Sequence, residues 1–249
     1  MDIQIRREAP GASAATDIEA EMALLEAALA DPARAILRLW RTSQCLVVTP
    51  LLAHRPGFAA AAERSQARGW PVVVRRTGGG PVPQGPETLN VSLAFAARRE
   101  TTPGIDAAFR AFADGLCAAL ARCGLAPEIG EIAGSCCPGR YDIALGGGKI
   151  IGIAQRRRRG SRDGVLLSAV LVHAMVWMEG RLDPGIDALE RFLDEAGVAE
   201  RFAREQMGTL EEIAGAAKAA AFESELSHLP PPLPSPESGE GQGGGQNMS

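Results

Sequence analysis

The chain has 249 residues, of which 46% are hydrophobic and 22% are charged, and its formal net charge is −4. This composition suits one globular domain with enough apolar material for a core, and a pI near 5.5 argues against a general binder of the nucleic-acid backbone. No run of about eighteen apolar residues occurs, and the N-terminus lacks the charged-then-apolar pattern of a secretory signal. We therefore expect neither a membrane span nor export.

The cysteine content favours a reducing compartment. The five cysteines are an odd number and form no CxxC pair, which is typical of neither a disulfide framework nor a zinc site. Reduced thiols in the cytoplasm fit this usage. A nucleophilic cysteine would stay free to react there.

The first part of the chain predicts a long helix, short strands and a second helix. Thr16 to Glu19 resembles a capping box, and apolar residues at helical spacing predict an amphipathic helix over residues 17–30. The runs "RAILRLW" and "CLVVT" predict strands, and "GFAAAAERSQARGW" predicts a helix that Gly69 ends. The run "PVVV" predicts a strand buried on both faces, which leads into a glycine-rich stretch.

The second part alternates between strands and helices. "TLNVSLAFA" alternates in polarity and predicts a strand, and a helix follows between Pro103 and Gly124. "YDIAL", "KIIGIAQ" and "GVLLSAVLVH" predict three strands, the first two joined as a hairpin by the glycines at 146–148. Helices near 184–196 and 205–225 come last. The pattern indicates an α+β fold with a mixed, largely antiparallel sheet.

The domain organisation is simple. Residues 1–228 are predicted to form one domain without internal repeats. From residue 230 the chain reads "PPPLPSPESGEGQGGGQNMS", which has too few apolar residues to form a core. We predict a disordered tail, rich in proline and glycine, over residues 229–249.

The glycine-rich stretch "VVVRRTGGG" is the first candidate site. Gly78, Gly79 and Gly80 allow a close approach of backbone to a ligand and expose amide groups toward an anion or carbonyl. Arg75, at the end of the strand, adds a fixed positive charge. The spacing matches neither a P-loop nor GxGxxG, so the glycines alone favour a plain loop.

The stretch "SCCPGRYDIALGGGKIIGIAQRRRR" is the second candidate site. Cys137 precedes Pro138-Gly139, which predicts a turn, and the positive charge of Arg140 or Lys149 would favour a thiolate there. Lys149 begins a strand directly after a glycine turn, so that its side chain projects from a rigid element. These residues suit acyl transfer, with Cys137 taking the acyl group and Lys149 orienting it.

Simpler explanations compete for the same residues. A single cysteine is usually a small buried hydrophobe, and a lysine at a hairpin is usually a solvated charge. The run of four arginines is usually a solvated face, although it can dock an acidic protein. His173, at the end of an apolar strand, fits a satisfied core histidine. On these residues alone, acyl transfer is the minority interpretation.

Two ordered motifs make the sequence similar to a known family. "RRTGGGPV" with "LNVSL", followed by "YDIALGGGKIIGIAQRR", resembles the lipoate–protein ligase A / biotinyl-ligase superfamily over residues 17–225. That family shows Arg, then Ser/Thr-Gly-Gly, then an Asn-containing strand, and later Asp before a strand with Lys-x-x-Gly-x-x-Gln-Arg. Two motifs in order are more specific than one. The resemblance implies the class II synthetase-like α+β core of that superfamily, with helices flanking the sheet.

The resemblance also implies roles for individual residues. Arg75 and the three glycines at 78–80 would line the acyl pocket, and Asn90 would lie on the neighbouring strand. Lys149 would contact the acyl carbonyl, and an octanoyl or lipoyl chain would occupy a tunnel in the core. The Cys-Pro-Gly before the lysine strand resembles the transferase branch, which moves octanoyl groups from the glycine-cleavage H protein to other lipoyl domains. The nucleophile of that branch falls on Cys137.

The sequence departs from the family pattern in two places. Gln84-Gly85 stands where the family usually has an Asp, often His-Asp, and Glu87 stands where it has a Gly. The proline-rich "PVPQGPE" therefore predicts a differently shaped wall of the pocket. The cysteine is also doubled, so that Cys136 is a competing nucleophile or a disulfide partner for Cys137.

Three functions stay open at this point. The first is a cysteine acyltransferase that acts on a lysine of a lipoyl domain and needs no cofactor. The second is an ATP-dependent lipoate–protein ligase, which would use ATP and Mg²⁺, and the third is a non-catalytic module that binds acyl groups or lipoyl domains. Expected partners are the H protein, the acyltransferase subunits of 2-oxoacid dehydrogenases and an octanoyl or lipoyl donor. We expect a cytoplasmic monomer that binds no nucleic acid, membrane or metal. The predicted docking patch for an acidic lipoyl domain is Arg156, Arg157, Arg158 and Arg159.

Overall fold

The computed structural model describes residues 1–230 of the chain. Its strands are β1 (Asp2–Glu8), β2 (Arg34–Trp40), β3 (Cys45–Val48), β4 (Val72–Val74), β5 (Val82–Gln84), β6 (Thr88–Arg98), β7 (Glu128–Ile129), β8 (Ile143–Leu145), β9 (Gly148–Arg162) and β10 (Val165–Trp177). Its α-helices are α1 (Ala14–Ala30), α2 (Pro50–Ala53), α3 (Phe58–Ala67), α4 (Ile105–Arg122), α5 (Asp183–Glu195), α6 (Leu210–Ala214) and α7 (Ala216–Glu225). Among these described residues, no helix is both long enough and apolar enough to cross a bilayer.

The strands form one large and one small sheet. The large sheet has seven strands in the order β1-β2-β6-β10-β9-β8-β7, and only the β1–β2 pair is parallel. The small sheet has the order β4-β3-β5, with β3 parallel to β4 and antiparallel to β5. The predicted mixed, largely antiparallel α+β architecture is confirmed.

Helices cover both faces of the large sheet. On one face, α4 and α7 bury Leu89, Val91, Leu93 and Phe95 of β6, the apolar half of the alternation seen in the sequence. On the other face lie α1 and the small sheet, which α5 covers in turn. The polar half of β6 is therefore buried as well. This second interface, between the two sheets, contains the candidate site.

The strand β4 differs from its prediction. We expected the run "PVVV" to be buried on both faces, and this is wrong. Val72 and Val73 are half-buried and Val74 is 40% exposed. The physical reason is that β4 is an edge strand with a single neighbour, β3.

Two other segments also differ from their predictions. The helix expected over residues 205–225 is broken, because Gly215 has φ +87° between α6 and α7, outside the helical region. The arginine run lies inside β9, which extends to Arg162 in a long hairpin with β10. Of the predicted tail, Leu229 is buried against the core and Pro230 is exposed, while the rest lies outside the described residues.

Candidate active site

The two adjacent cysteines lie in a loop between β7 and β8, residues 136–139, which we call the cysteine loop. Cys137 has φ +52°, a left-handed conformation that is uncommon for a residue with a side chain. Its half-buried thiol accepts a hydrogen bond from the Gly80 backbone N–H at 2.6 Å. The thiol of the predicted nucleophile is thus held against the glycine-rich loop.

Cys136 has a different environment. Its side chain is fully buried, its Sγ donates to the Pro81 carbonyl at 3.0 Å, and its backbone N–H donates to Met207 Sδ at 3.1 Å. Burial raises the pKa of the Cys136 thiol far above its ordinary value. Cys136 therefore stays a neutral thiol, which leaves Cys137 as the candidate nucleophile of the pair.

The glycine-rich loop packs directly against Cys137. A Cβ added at Gly79 would lie 2.5 Å from Arg75 Nη2 and 3.1 Å from Cys137 Sγ, and one added at Gly80 would lie 3.2 Å from Cys137 Cβ. A Cβ at Gly78 would meet nothing within 4 Å. Gly79 and Gly80 thus allow the glycine-rich loop and the cysteine loop to approach closely, whereas Gly78 does not contribute to this contact.

Arg75 is the cation beside this contact. Its side chain is buried, and Nη2 donates to the Gly80 carbonyl at 2.9 Å. Arg140, which the sequence also offered as a cation for the thiol, instead pairs with Asp106 at 3.6 Å in a largely exposed position. The guanidinium that lies beside Gly79 together with Cys137 is therefore that of Arg75.

Lys149 lies at the start of β9 and is 1% exposed. Its ammonium donates to the carbonyls of Cys136 and Cys137, at 2.8 Å and 2.6 Å, and forms an ion pair with Asp142 Oδ2 at 2.6 Å. The same Asp142 oxygen accepts the Gly139 N–H at 2.7 Å. Burial raises the pKa of Asp142, and the neighbouring Lys149 opposes this rise.

These groups border a cavity of about 90 Å³ between the two sheets. Its polar wall is formed by Arg75, Gln84, Cys137, Asp142, Lys149 and His173, and its apolar wall includes Val82, Ile153, Ala154, Met175 and Trp177. A thiol at the boundary between a polar and an apolar wall suits a carbonyl group that carries an aliphatic chain.

The departures from the family pattern shape one side of this cavity. Asn90 on β6 donates through Nδ2 to Gln84 Oε1 at 3.1 Å, so Asn90 supports the wall from behind while Gln84 faces the cavity. Gly85 begins a tight turn that Thr88 closes with two hydrogen bonds. The segment "PVPQGPE" thus forms β5 and a defined turn.

His173 is a site residue that the sequence analysis assigned to the core. Its Nδ1 lies 3.3 Å from Glu21 Oε1, and Glu21 also accepts the Ser92 hydroxyl at 2.6 Å. Its Nε2 is buried and has no hydrogen-bond partner among the described residues, although His173 lines the cavity. The sequence contained one signal for this pairing, because Glu21 is a carboxylate on the apolar side of the predicted helix α1.

His173 gives the fold a pH dependence. Burial lowers the pKa of His173, so the unfolded chain binds this proton more readily than the folded chain. We expect stability to fall as the pH drops below about 6.5, by up to about 1.4 kcal/mol per pH unit. His173→Gln should flatten the slope of urea-unfolding free energy between pH 5.5 and 8. The exposed His54→Gln is the control and should keep it; an unchanged slope in His173→Gln would contradict the assignment.

The predicted docking arginines lie outside the cavity, on the outer half of β9. Arg156 donates to the Arg76 carbonyl at 2.8 Å, Arg157 donates to the Pro103 carbonyl at 2.8 Å, and Arg158 pairs with Glu26. Arg159 is exposed. Their role as a docking patch stays a prediction.

Comparison with known proteins identifies the family. Residues 13–226 match the model of the lipoyl protein ligase A/B catalytic domain. The chain belongs to this family. It is 37% identical over 138 residues to an octanoyl-[GcvH]:protein N-octanoyltransferase of Geobacillus kaustophilus, a match that covers 55% of this chain and 48% of that protein. A protein of the same name from Kyrpidia tusciae is 30% identical over 184 residues, covering 69% and 59%.

The solved structures agree on the fold. A crystal structure of lipoate-protein ligase A bound with ATP superimposes with a TM-score of 0.65 at 19% identity, covering 92% of this chain and 85% of that one. This likeness confirms the fold that the two sequence motifs implied. The chain spans about half the length of the Geobacillus relative.

Proposed function

We propose that this family member is an acyltransferase that moves an octanoyl or lipoyl group to a lysine of a lipoyl domain through a thioester on Cys137. The observation that carries the proposal is the position of Cys137 Sγ, hydrogen-bonded to Gly80 at the edge of a cavity with an apolar wall. The names of the curated relatives support the same chemistry.

The reaction has two steps. The Cys137 thiolate attacks the carbonyl carbon of the acyl-carrier, the tetrahedral intermediate collapses, and the carrier leaves with a proton. The ε-amine of the acceptor lysine then attacks the thioester, an amide forms, and the Cys137 thiol is released. Lys149 and the backbone amides of Gly79 and Gly80 would stabilise the developing oxyanion, and each such donor contributes roughly 3 kcal/mol in comparable sites.

The partners follow from this chemistry and from the relatives' names. The glycine-cleavage H protein would be the donor, and a lipoyl domain, such as that of a 2-oxoacid dehydrogenase acyltransferase subunit, would be the acceptor. The exposed arginines of β9 would attract an acidic acceptor surface. We propose that the protein acts as a cytoplasmic monomer and that the transfer needs no cofactor.

A lipoate–protein ligase is the second candidate, because the fold is shared with a ligase that binds ATP. That reaction would use ATP and Mg²⁺ and would not need Cys137. A non-catalytic acyl- or lipoyl-domain-binding role is the third, and the altered Gln84-Gly85 segment is the feature that favours it.

The intact mass of the protein after incubation with octanoylated H protein, without ATP, separates these functions. We expect an octanoyl adduct that hydroxylamine removes, since hydroxylamine cleaves thioesters. Absence of the adduct, together with lipoylation of a lipoyl domain once ATP, Mg²⁺ and lipoate are added, would establish the ligase. No reaction in either mixture would leave the binding role.

A further inference from the structure

His173 has one buried ring nitrogen at the cavity wall that the site described above does not use. We propose that His173 determines the acyl-chain specificity, and that its Nε2 accepts a hydrogen bond from a hydroxyl or thiol on the distal carbons of the acyl group. A reduced lipoyl group carries such thiols, and an octanoyl group carries none. This inference names the substrate class of the acyl transfer proposed above and rests on that function.

The hydrogen bonds behind His173 determine which of its nitrogens carries the proton. Trp40 Nε1 donates to Ser92 Oγ at 2.9 Å, so the Ser92 hydroxyl donates in turn to Glu21 Oε1, at 2.6 Å. The same carboxylate oxygen lies 3.3 Å from His173 Nδ1. Because a carboxylate only accepts hydrogen bonds, Nδ1 carries the proton and Nε2 is the acceptor of the neutral ring.

The surroundings of His173 keep the ring neutral and restrict the group that can bind it. Its side chain is 7% exposed, and burial lowers its pKa. The positive charge of Arg75 also lowers this pKa, while Glu21 acts in the opposite direction. The same positive charge disfavours a cationic ligand group such as an amine. The partner of Nε2 is therefore an uncharged donor, which on an acyl chain means a hydroxyl or a thiol.

The register of the sheet places His173 beyond the carbonyl end of the cavity. A Cβ added at Gly152 would lie 3.4 Å from Lys149 Nζ, and Gly152 pairs with Met175 of β10. His173 lies two residues further along β10, on the same face as Met175, which is about 7 Å in an antiparallel strand. An extended acyl chain whose carbonyl lies at Lys149 covers that distance in about six carbons, given C–C bonds of ~1.5 Å. His173 therefore meets the distal carbons of the chain.

A plain alkyl chain at this position leaves the acceptor unpaired. Nε2 is buried and has no hydrogen-bond partner among the described residues. A buried polar group without a partner is costly, and a site that hydrogen-bonds a substrate hydroxyl rejects the analogue that lacks it. Met175 and Ala154 still supply apolar contacts along the cavity. Octanoyl is therefore accepted, but it binds more weakly than a chain with a donor at its distal end.

The test compares the binding of octanoic acid and ω-hydroxyoctanoic acid by titration calorimetry. The two acids differ only in the hydroxyl on the last carbon, and their binding requires no acyl transfer. We expect the wild type to bind the hydroxy acid about tenfold more tightly, as for one buried acceptor that gains its partner. Dihydrolipoic acid, kept reduced, is the third ligand. Tighter binding than the hydroxy acid would identify a thiol as the preferred donor, and weaker binding would identify a hydroxyl.

Substitutions at two positions of the same wall test whether Nε2 is the cause. His173→Leu removes the acceptor and should make octanoic acid the tighter ligand, because the hydroxyl then loses its partner. His173→Gln keeps an acceptor oxygen and should retain part of the preference. Met175→Leu is the matched control, since it keeps a side chain of similar volume and should keep the wild-type ratio. An unchanged ratio in His173→Leu would overturn the proposal.

The remaining outcomes are also decisive. Thermal unfolding verifies that each variant is folded, and the wild-type ratio decides alone if His173→Leu does not fold. Equal affinity of the wild type for the two acids, or no binding of either, would overturn the specificity. A clear preference without an octanoyl adduct on Cys137 would leave the specificity in place and refute the acyl transfer. An adduct together with equal affinities would do the reverse.

Discussion

Cys137→Ala is expected to abolish the octanoyl adduct and to lower the rate of acyl transfer by at least about 1000-fold, as removal of a covalent nucleophile does in other acyl-transfer sites. The reason is that Cys137 lines the cavity with a half-buried thiol that accepts the Gly80 N–H, whereas the Cys136 thiol is fully buried. Intact mass measures the adduct, and a single-turnover assay with a lipoyl domain measures the transfer.

Cys136→Ala is the matched control, since it makes the same substitution one residue earlier. Its thiol is fully buried and bonded to the Pro81 carbonyl, and its raised pKa keeps it protonated. We expect this variant to keep the adduct and at least a third of the rate. An adduct that persists in Cys137→Ala and disappears in Cys136→Ala would show that Cys136 is the nucleophile.

Gly79→Ala is expected to lower the acylation rate of Cys137 by about 100-fold, because small displacements of reacting groups and loss of an oxyanion donor each have effects of this size. The backbone at Gly79 has φ +101°, which L residues rarely adopt, and the new Cβ would lie 2.5 Å from Arg75 Nη2. Both effects move the glycine-rich loop away from Cys137. Intact mass, measured on samples quenched at successive times, gives the rate of adduct formation.

Gly78→Ala supplies the control for this prediction within the same loop. Its Cβ would meet no atom within 4 Å, so we expect a rate within about twofold of the wild type, as for surface substitutions without a structural role. Equal losses in the two variants would mean that general flexibility of the loop matters. The close contact at Gly79 would then not be the cause.

The elements that the sequence predicted well are those with a local signal. The helix α1 has its apolar spacing, the hairpin of β8 and β9 has its glycines, and β6 has its alternation. The predicted cap of α1 was wrong, because the helix begins at Ala14 with Ser13 as its N-cap, and Thr16 lies in the first turn. The strand β4 was wrong because an apolar run does not reveal how many neighbours a strand has. The strand β5 was missed because it has three residues with a proline in the middle, and its partner strand β3 lies far away in the chain.

The candidate site shows the same division. The motifs alone identified Cys137, Lys149, Arg75 and the glycines as candidate site residues, because loops of this composition and order resemble those of one family. The motifs did not distinguish Gly78 from Gly79, since both are glycines in adjacent positions. The Cys-Pro-Gly motif placed the nucleophile at Cys137 but left Cys136 as a competitor. Burial and packing separate the two residues of each pair.

The sequence by itself determined the α+β class, the family and the two loops that form the site, since these depend on periodicity, turn residues and motif order. The tertiary structure decided which residues act together. It placed Glu21 behind His173, and it directed the Lys149 ammonium to the backbone of the cysteine loop. The physical reason is that hydrogen-bond partners of buried charges come from segments distant in the chain, and no local pattern encodes which segments meet.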